Sequence, residues 1–316
     1  MKLTSLDSEL AHAPPHGQAY EIRSQDGLAL RIGVWSDSST NKGTVFLLPG
    51  RADFIEKLGH AMCDFHSLGY SVCVLEFRGL GLSDRLIADR RAGHVDRFTD
   101  YQHDVRAAVS AASELELPEP FFLHGNSMGG CIGLRSAIEG VSFKACAFTS
   151  PMWGVQLPRI LHLIATPITN AVRTLGFGHR FAPGRNGDNE TLNWTFDENE
   201  ITGDADMFAH LQHVNRKVDD HWIGGPTIGW LQQALQETKY LAKQPAPNIP
   251  CIAFSAERDQ LVDRAAIEQR MNSWTDSTYQ MVSAAKHDLL RAGADVRSSV
   301  LTDICTFFDG FTHKSE

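Results

Sequence analysis

Phe121-Phe122-Leu123-His124-Gly125-Asn126-Ser127-Met128-Gly129-Gly130 is the stretch that decides the fold. The run from Phe121 to His124 reads as a strand buried on both faces, and it ends at Gly125. Gly125-Asn126-Ser127-Met128-Gly129 matches Gly-x-Ser-x-Gly between this strand and a predicted helix, the context the motif requires. The demand is steric. A sharp strand-to-helix turn strains the backbone at Ser127 and exposes its hydroxyl, while side chains two positions either side would collide. The N–H of Met128 then faces the place where a reacting carbonyl oxygen sits, with a helix N-terminus behind it. Ser127 is therefore the candidate nucleophile.

Working outward, the same rhythm recurs. Thr44 to Leu48 stops at Pro49-Gly50, Ser71 to Leu75 stops before Arg78-Gly79-Leu80-Gly81, Lys144 to Thr149 stops at Ser150-Pro151, and Pro250 to Ser255 stops in a charged loop. Each run is continuously apolar rather than alternating, as in a sheet covered on both faces. Between the runs, Phe54 to Leu68 and Asp100 to Leu115 carry apolar stripes at helical spacing. Alternating strands and helices predict an α/β fold with a mostly parallel sheet flanked by helices. Tyr20 to Arg23 and Leu28 to Val34 flank Gln25-Asp26-Gly27, so the sheet is expected to open with an antiparallel hairpin. From Met152 to about Pro245 the pattern turns helical without a buried strand, then returns through the proline-rich segment 244–250. Residues 152–245 are expected to form a helical cap inserted into a core made of 1–151 and 246–316.

Composition narrows the function. The chain has 316 residues, with 29 Lys plus Arg against 38 Asp plus Glu, a net charge of −9. That argues against a nucleic-acid partner. Cys73, Cys146 and Cys251 lie in apolar runs and read as buried thiols of a reduced compartment. Polar residues after Met1-Lys2-Leu3 predict no signal peptide, and no run approaches ~18 apolar residues. A cytoplasmic location follows, with peripheral contact at the inner face of the membrane left open. The Arg78 to Asp84 loop resembles a dinucleotide fingerprint but has Asp84 where the third glycine belongs, so it reads as a tight loop. The cationic stretch holding Arg85, Arg90, Arg91 and His94 reads as a solvated loop, with phosphate binding the alternative.

A serine hydroxyl needs a base, and that base needs an orienting acid. Among 14 histidines, His287 lies just beyond the last expected strand, Tyr279 to Val282. His124 sits inside its strand and His313 in a polar tail. His210 and His213 have no third ligand nearby in sequence, so no metal site is expected. For the acid, the loop Ala256 to Asp263 offers Glu257, Asp259 and Asp263. Asp259 is preferred because it falls in the turn, with Asp263 as runner-up and a suitable helix cap. The loop Pro49-Gly50-Arg51-Ala52 supplies the second oxyanion donor, the N–H of Arg51. The Arg51 side chain is available to an anionic substrate group.

Gly125-Asn126-Ser127-Met128-Gly129-Gly130, Arg78-Gly79-Leu80-Gly81-Leu82-Ser83 and Lys286-His287-Asp288 resemble the monoacylglycerol-lipase-like branch of the α/β-hydrolases. Pro49-Gly50-Arg51, Gly93-His94-Val95-Asp96-Arg97-Phe98 and Gly224-Gly225-Pro226-Thr227 are similar to bacterial lysophospholipases within it. The resemblance spans roughly Tyr20 to Phe308 and is weakest in the cap. It implies an eight-stranded sheet and a capped active site. It also implies cofactor-free hydrolysis of the single acyl ester of a lysophospholipid or monoacylglycerol, with Ser127, Asp259 and His287 as nucleophile, acid and base. One departure is Pro49, where related lipases often carry histidine.

The cap opens with apolar residues on both faces, and Met152, Trp153, Leu157, Ile160 and Ile164 are expected to line an acyl tunnel. Each buried methylene contributes ~0.8 kcal/mol, so such a lining favours long-chain esters. Arg159 and Arg173 are too few to anchor the protein to a membrane by charge. An amide hydrolase or peptidase of the same fold, and a non-catalytic binding protein, are the alternatives.

Overall fold

The computed structural model describes residues 1–156 and 176–312. They hold one sheet of nine strands: β1 (Lys2–Thr4), β2 (Gln18–Arg23), β3 (Ala29–Trp35), β4 (Thr44–Leu48), β5 (Ser71–Glu76), β6 (Phe121–Asn126), β7 (Cys146–Thr149), β8 (Cys251–Ala256) and β9 (Ser277–Val282), in the order β1-β2-β3-β5-β4-β6-β7-β8-β9. The expected eight are β2 to β9. The extra strand, β1, is a short edge ribbon antiparallel to β2. The β2/β3 hairpin turns at Gly27, whose φ of +88° suits glycine. From β5 through β9 every pairing is parallel.

Helices cover both faces, which is why the central strands are apolar throughout. Phe46 and Leu48 of β4 belong to one buried cluster, with Leu123 of β6. Val45 and Leu47 point the other way and join Phe122. On the first face lie α2 (Tyr101–Glu114), α3 (Met128–Ile138) and α6 (Arg264–Asn272), through Val105, Leu134 and Ile267; on the second lie α1 (Gly59–Ser67) and α7 (Ala294–Asp309), through Phe65 and Leu301. The expected helix from Phe54 to Leu68 is broken. A 3₁₀ turn, Ile55–Lys57, precedes α1 because polar partners hold it: Glu76 accepts the Ile55 N–H at 2.9 Å, and Glu56 pairs with buried Arg31 at 2.6 Å.

Between β7 and β8 the described residues add no strand to the sheet. They contain a short helix, Glu190–Asn193, then α4 (Ala205–Lys217) and α5 (Ile228–Leu241). Side chains start both longer helices: Asp204 accepts from Met207 N at 2.9 Å, and Thr227 from Trp230 N at 3.1 Å.

Candidate active site

Ser127 occupies the turn between β6 and α3 with φ 51° and ψ −116°, a strained conformation held by flanking hydrogen bonds. Its N–H donates to Thr149 O at 3.1 Å and its carbonyl accepts from Met152 N at 2.8 Å. The two motif glycines are required for different reasons. A Cβ on Gly125 would lie 2.8 Å from the Gly129 carbonyl oxygen, a clash within the turn. One on Gly129 would lie 2.0 Å from Leu48 O, a clash with the end of β4.

The structure brings the three distant residues together. His287 Nε2 is 2.9 Å from Ser127 Oγ, and His287 Nδ1 is 2.7 Å from Asp259 Oδ2. The other oxygen, Asp259 Oδ1, accepts the N–H groups of Leu261 at 2.8 Å and Val262 at 3.2 Å. Desolvation pushes the Asp259 carboxyl up, but the His287 bond and the two amides outweigh it and leave it below the usual carboxylate range. Burial pushes His287 down, yet Asp259, with help from Asp288 and Asp53, holds it above the ordinary histidine value. The other two carboxylates of the loop work locally. Asp263 caps α6 through Ala265 N at 3.0 Å, and Glu257 accepts from Ala284 N at 2.7 Å.

The loop after β4 faces the same point. Met128 is the first residue of α3, where an amide N–H has no intrahelical acceptor. Gly50, Arg51, Ser127 and Met128 all line one cavity. Buried charges brace the loop: Asp53 accepts from Gly50 N at 3.1 Å and from Arg291 Nη2 at 2.6 Å, and Arg291 also pairs with Asp288, the neighbour of His287. One guanidinium thus ties the oxyanion-side loop to the histidine loop. Lys57 lies beside it and donates to Ala52 O at 3.0 Å, with burial driving its ammonium down to about 7.

The cavity measures about 740 Å³, within the range of small-molecule sites. Met152 lines this cavity, and Trp153 does not. Trp153 packs instead on Phe148 and Trp274, and its indole N–H donates to Gly130 O at 3.0 Å. The aromatic pocket that holds it is assembled from β7 and the α6–β9 connection, which no local pattern around Trp153 encodes. Leu157, Ile160 and Ile164 lie outside the described residues, as do Arg159, Arg173 and His313. Much of the apolar wall comes from residues that sequence reading did not single out: Ile201, Leu211, Ile223, Trp230 and Leu261. Asp53, Lys57 and Arg291 were missed too, since nothing local marks a charged side chain as buried. Arg51 lines the cavity, with Nη1 on Gly224 O at 2.8 Å and the guanidinium 5.8 Å above the Trp230 ring.

The remaining motifs serve the framework. Arg78 is gripped by Asp104 and Asp26 at 2.7 Å, which ties its loop to protein carboxylates. Arg85 donates to the carbonyls of Arg90 and His221, and Arg91 lies 3.7 Å over the Trp222 ring. His94 joins Thr227 at 2.8 Å, so the two motifs at 93–98 and 224–227 meet in space. His124 is a core residue, its imidazole pushed down to about 3 by burial. His210 does have histidines beside it in space, since His12 and His60 converge on it, while His213 is not part of the group.

A strained serine at a strand-to-helix turn, an imidazole from the loop after the last strand and an acid from the loop after β8, all at the carboxyl ends of a mostly parallel sheet, define an α/β-hydrolase. The sequence pattern of the serine aminopeptidase, S33 family (Hydrolase_4) matches residues 39–292, and the chain belongs to that family. Across 286 residues it is 27% identical to the Haemophilus influenzae protein "Probable lysophospholipase L2", covering 89% of this chain and 88% of that one. It is 28% identical to lysophospholipase L2 of Escherichia coli, covering 84% and 80%. A soluble variant of monoglyceride lipase from Saccharomyces cerevisiae, solved with a substrate analogue, superposes with a TM-score of 0.72 at 19% identity, covering 93% and 96%, which shows the shared fold.

Proposed function

We propose that this protein is a serine carboxylic-ester hydrolase that cleaves the single acyl ester of a lysophospholipid or monoacylglycerol. The observation that carries the reading is the unbroken relay Ser127–His287–Asp259, at 2.9 and 2.7 Å, opening on a largely apolar cavity. His287 Nε2 takes the Ser127 proton as Oγ attacks the ester carbonyl. The amide N–H groups of Arg51 and Met128 receive the oxyanion, each worth ~3 kcal/mol in such sites. Collapse expels the glycerol-side oxygen, which His287 protonates, and leaves an acyl-serine that water, activated by the same imidazole, hydrolyses. Asp259 holds the Nδ1–H tautomer throughout.

Residues 152–245 act in this reading as a cap over the carboxyl ends of the strands, supplying Met152, Leu211 and Trp230 to the acyl wall. The names of the two bacterial relatives favour a lysophospholipid, and Arg51 gives the cavity a cation for its phosphate. No helix among the described residues is long and apolar enough to cross a membrane.

Purified protein assayed against a lysophosphatidylcholine, a monoacylglycerol and aminoacyl p-nitroanilides tests the reading. Release of fatty acid from either lipid, with the anilides intact, is expected. Turnover of the anilides with both esters untouched would overturn it in favour of a peptidase.

A further inference from the structure

Outside the cavity, three histidines from three separate parts of the chain meet. His12 follows the short helix Ser8–Ala11, His60 is the second residue of α1, and His210 lies in α4. One ring nitrogen from each falls within 4.8 Å of the other two. The rings stand 4.5 to 5.2 Å apart between centroids. Two buried nitrogens, His60 Nδ1 and His210 Nε2, have no hydrogen-bond partner among the described residues. Buried imidazole nitrogens ordinarily find one, so two unpartnered positions within one cluster of three imidazoles ask for a ligand.

We propose that His12, His60 and His210 bind a divalent ion of the zinc class, clamping the N-terminal segment and α4 to the start of α1. Imidazole nitrogen suits Zn²⁺, Co²⁺, Ni²⁺ and Cu²⁺, and three such ligands with one water complete a tetrahedron. Ligand bonds of ~2.1 Å draw the nitrogens closer than they now stand, which ring rotation about the side-chain torsions supplies. His12 is exposed, giving the ion and its water a route from solvent. The cations nearest the cluster are already matched: Arg297 pairs with Asp64 at 2.7 Å, and Arg291 with Asp53 and Asp288. The ion is structural. Leu211, next to His210, lines the cavity, so metal binding stiffens one wall of the site.

Titration of the chelator-stripped full chain with Co²⁺ tests this. The expected result is one equivalent bound, with the visible d–d band of tetrahedral cobalt, and a melting temperature raised by several degrees with saturating Zn²⁺. His210→Gln and, separately, His12→Asn weaken binding at least ten-fold and abolish both signals. His12 is exposed with φ 53°, a conformation asparagine accepts, so that variant folds even where His210→Gln does not. Absence of the band and of the melting shift in the unmodified protein overturns the proposal. So does binding that survives His12→Asn unchanged, which would assign the metal to other histidines.

Discussion

Asp259→Asn isolates one atom of the relay. Asp259 Oδ1 is fixed by the amides of Leu261 and Val262, which only an oxygen can accept. In the variant the carboxamide oxygen keeps that place, so its NH₂ must turn toward His287 Nδ1, 2.7 Å away in the native protein. Two donors cannot face each other. The imidazole therefore puts its lone pair on Nδ1 and its proton on Nε2, where it meets the Ser127 hydroxyl as a donor and no longer as a base. Wrong tautomers of this kind lower kcat by roughly 10⁴-fold, about 5 kcal/mol of barrier. The variant also removes the main force holding His287 above the ordinary histidine value, so the acid limb of any residual activity shifts to lower pH. Steady-state kinetics on a p-nitrophenyl ester across pH, with a melting curve to confirm folding, reads both effects. A folded variant within ten-fold of native kcat, with an unmoved acid limb, would refute the reasoning.

Native protein shows kcat/KM rising with pH through a midpoint above 6.5, because the base must be neutral and its value is raised; a pH–rate profile with the midpoint below 6.5 contradicts this. Arg291→Met strands the buried carboxylates of Asp53 and Asp288 together and destabilises the protein by about 3–5 kcal/mol, measurable by urea unfolding. Trp153→Phe keeps kcat and KM within about two-fold while losing one buried hydrogen bond, roughly 1 kcal/mol, since the indole packs in the core.

The sheet was legible because its strands are covered on both faces, which turns each into an unbroken apolar run such as Thr44 to Leu48. β1 escaped notice because Lys2-Leu3-Thr4 is short and exposed, an edge strand held by pairing with β2. Ser127 was legible because the sharp turn forces glycines on both sides of it, and His287 because the loop after the last strand carries a single imidazole. Asp259 was separable from Asp263 only in part, since a turn carboxylate and a helix cap look alike until the amides they accept are known. The bracing of the site by Asp53, Lys57 and Arg291, and the meeting of His12 with His60 and His210, depend on contacts between residues up to 238 positions apart, which no local pattern encodes. Trp153 shows the converse: a large apolar residue at the entry to the cap segment reads equally as wall or as core.

The central claim is that Ser127 is the nucleophile that forms the acyl intermediate. Reaction of the purified protein with a fluorophosphonate, followed by digestion and mass spectrometry, tests it most directly. The account predicts a single adduct on the peptide carrying Ser127, absent from Ser127→Ala. A protein left unlabelled while it hydrolyses ester, or an adduct on any other residue, would contradict it.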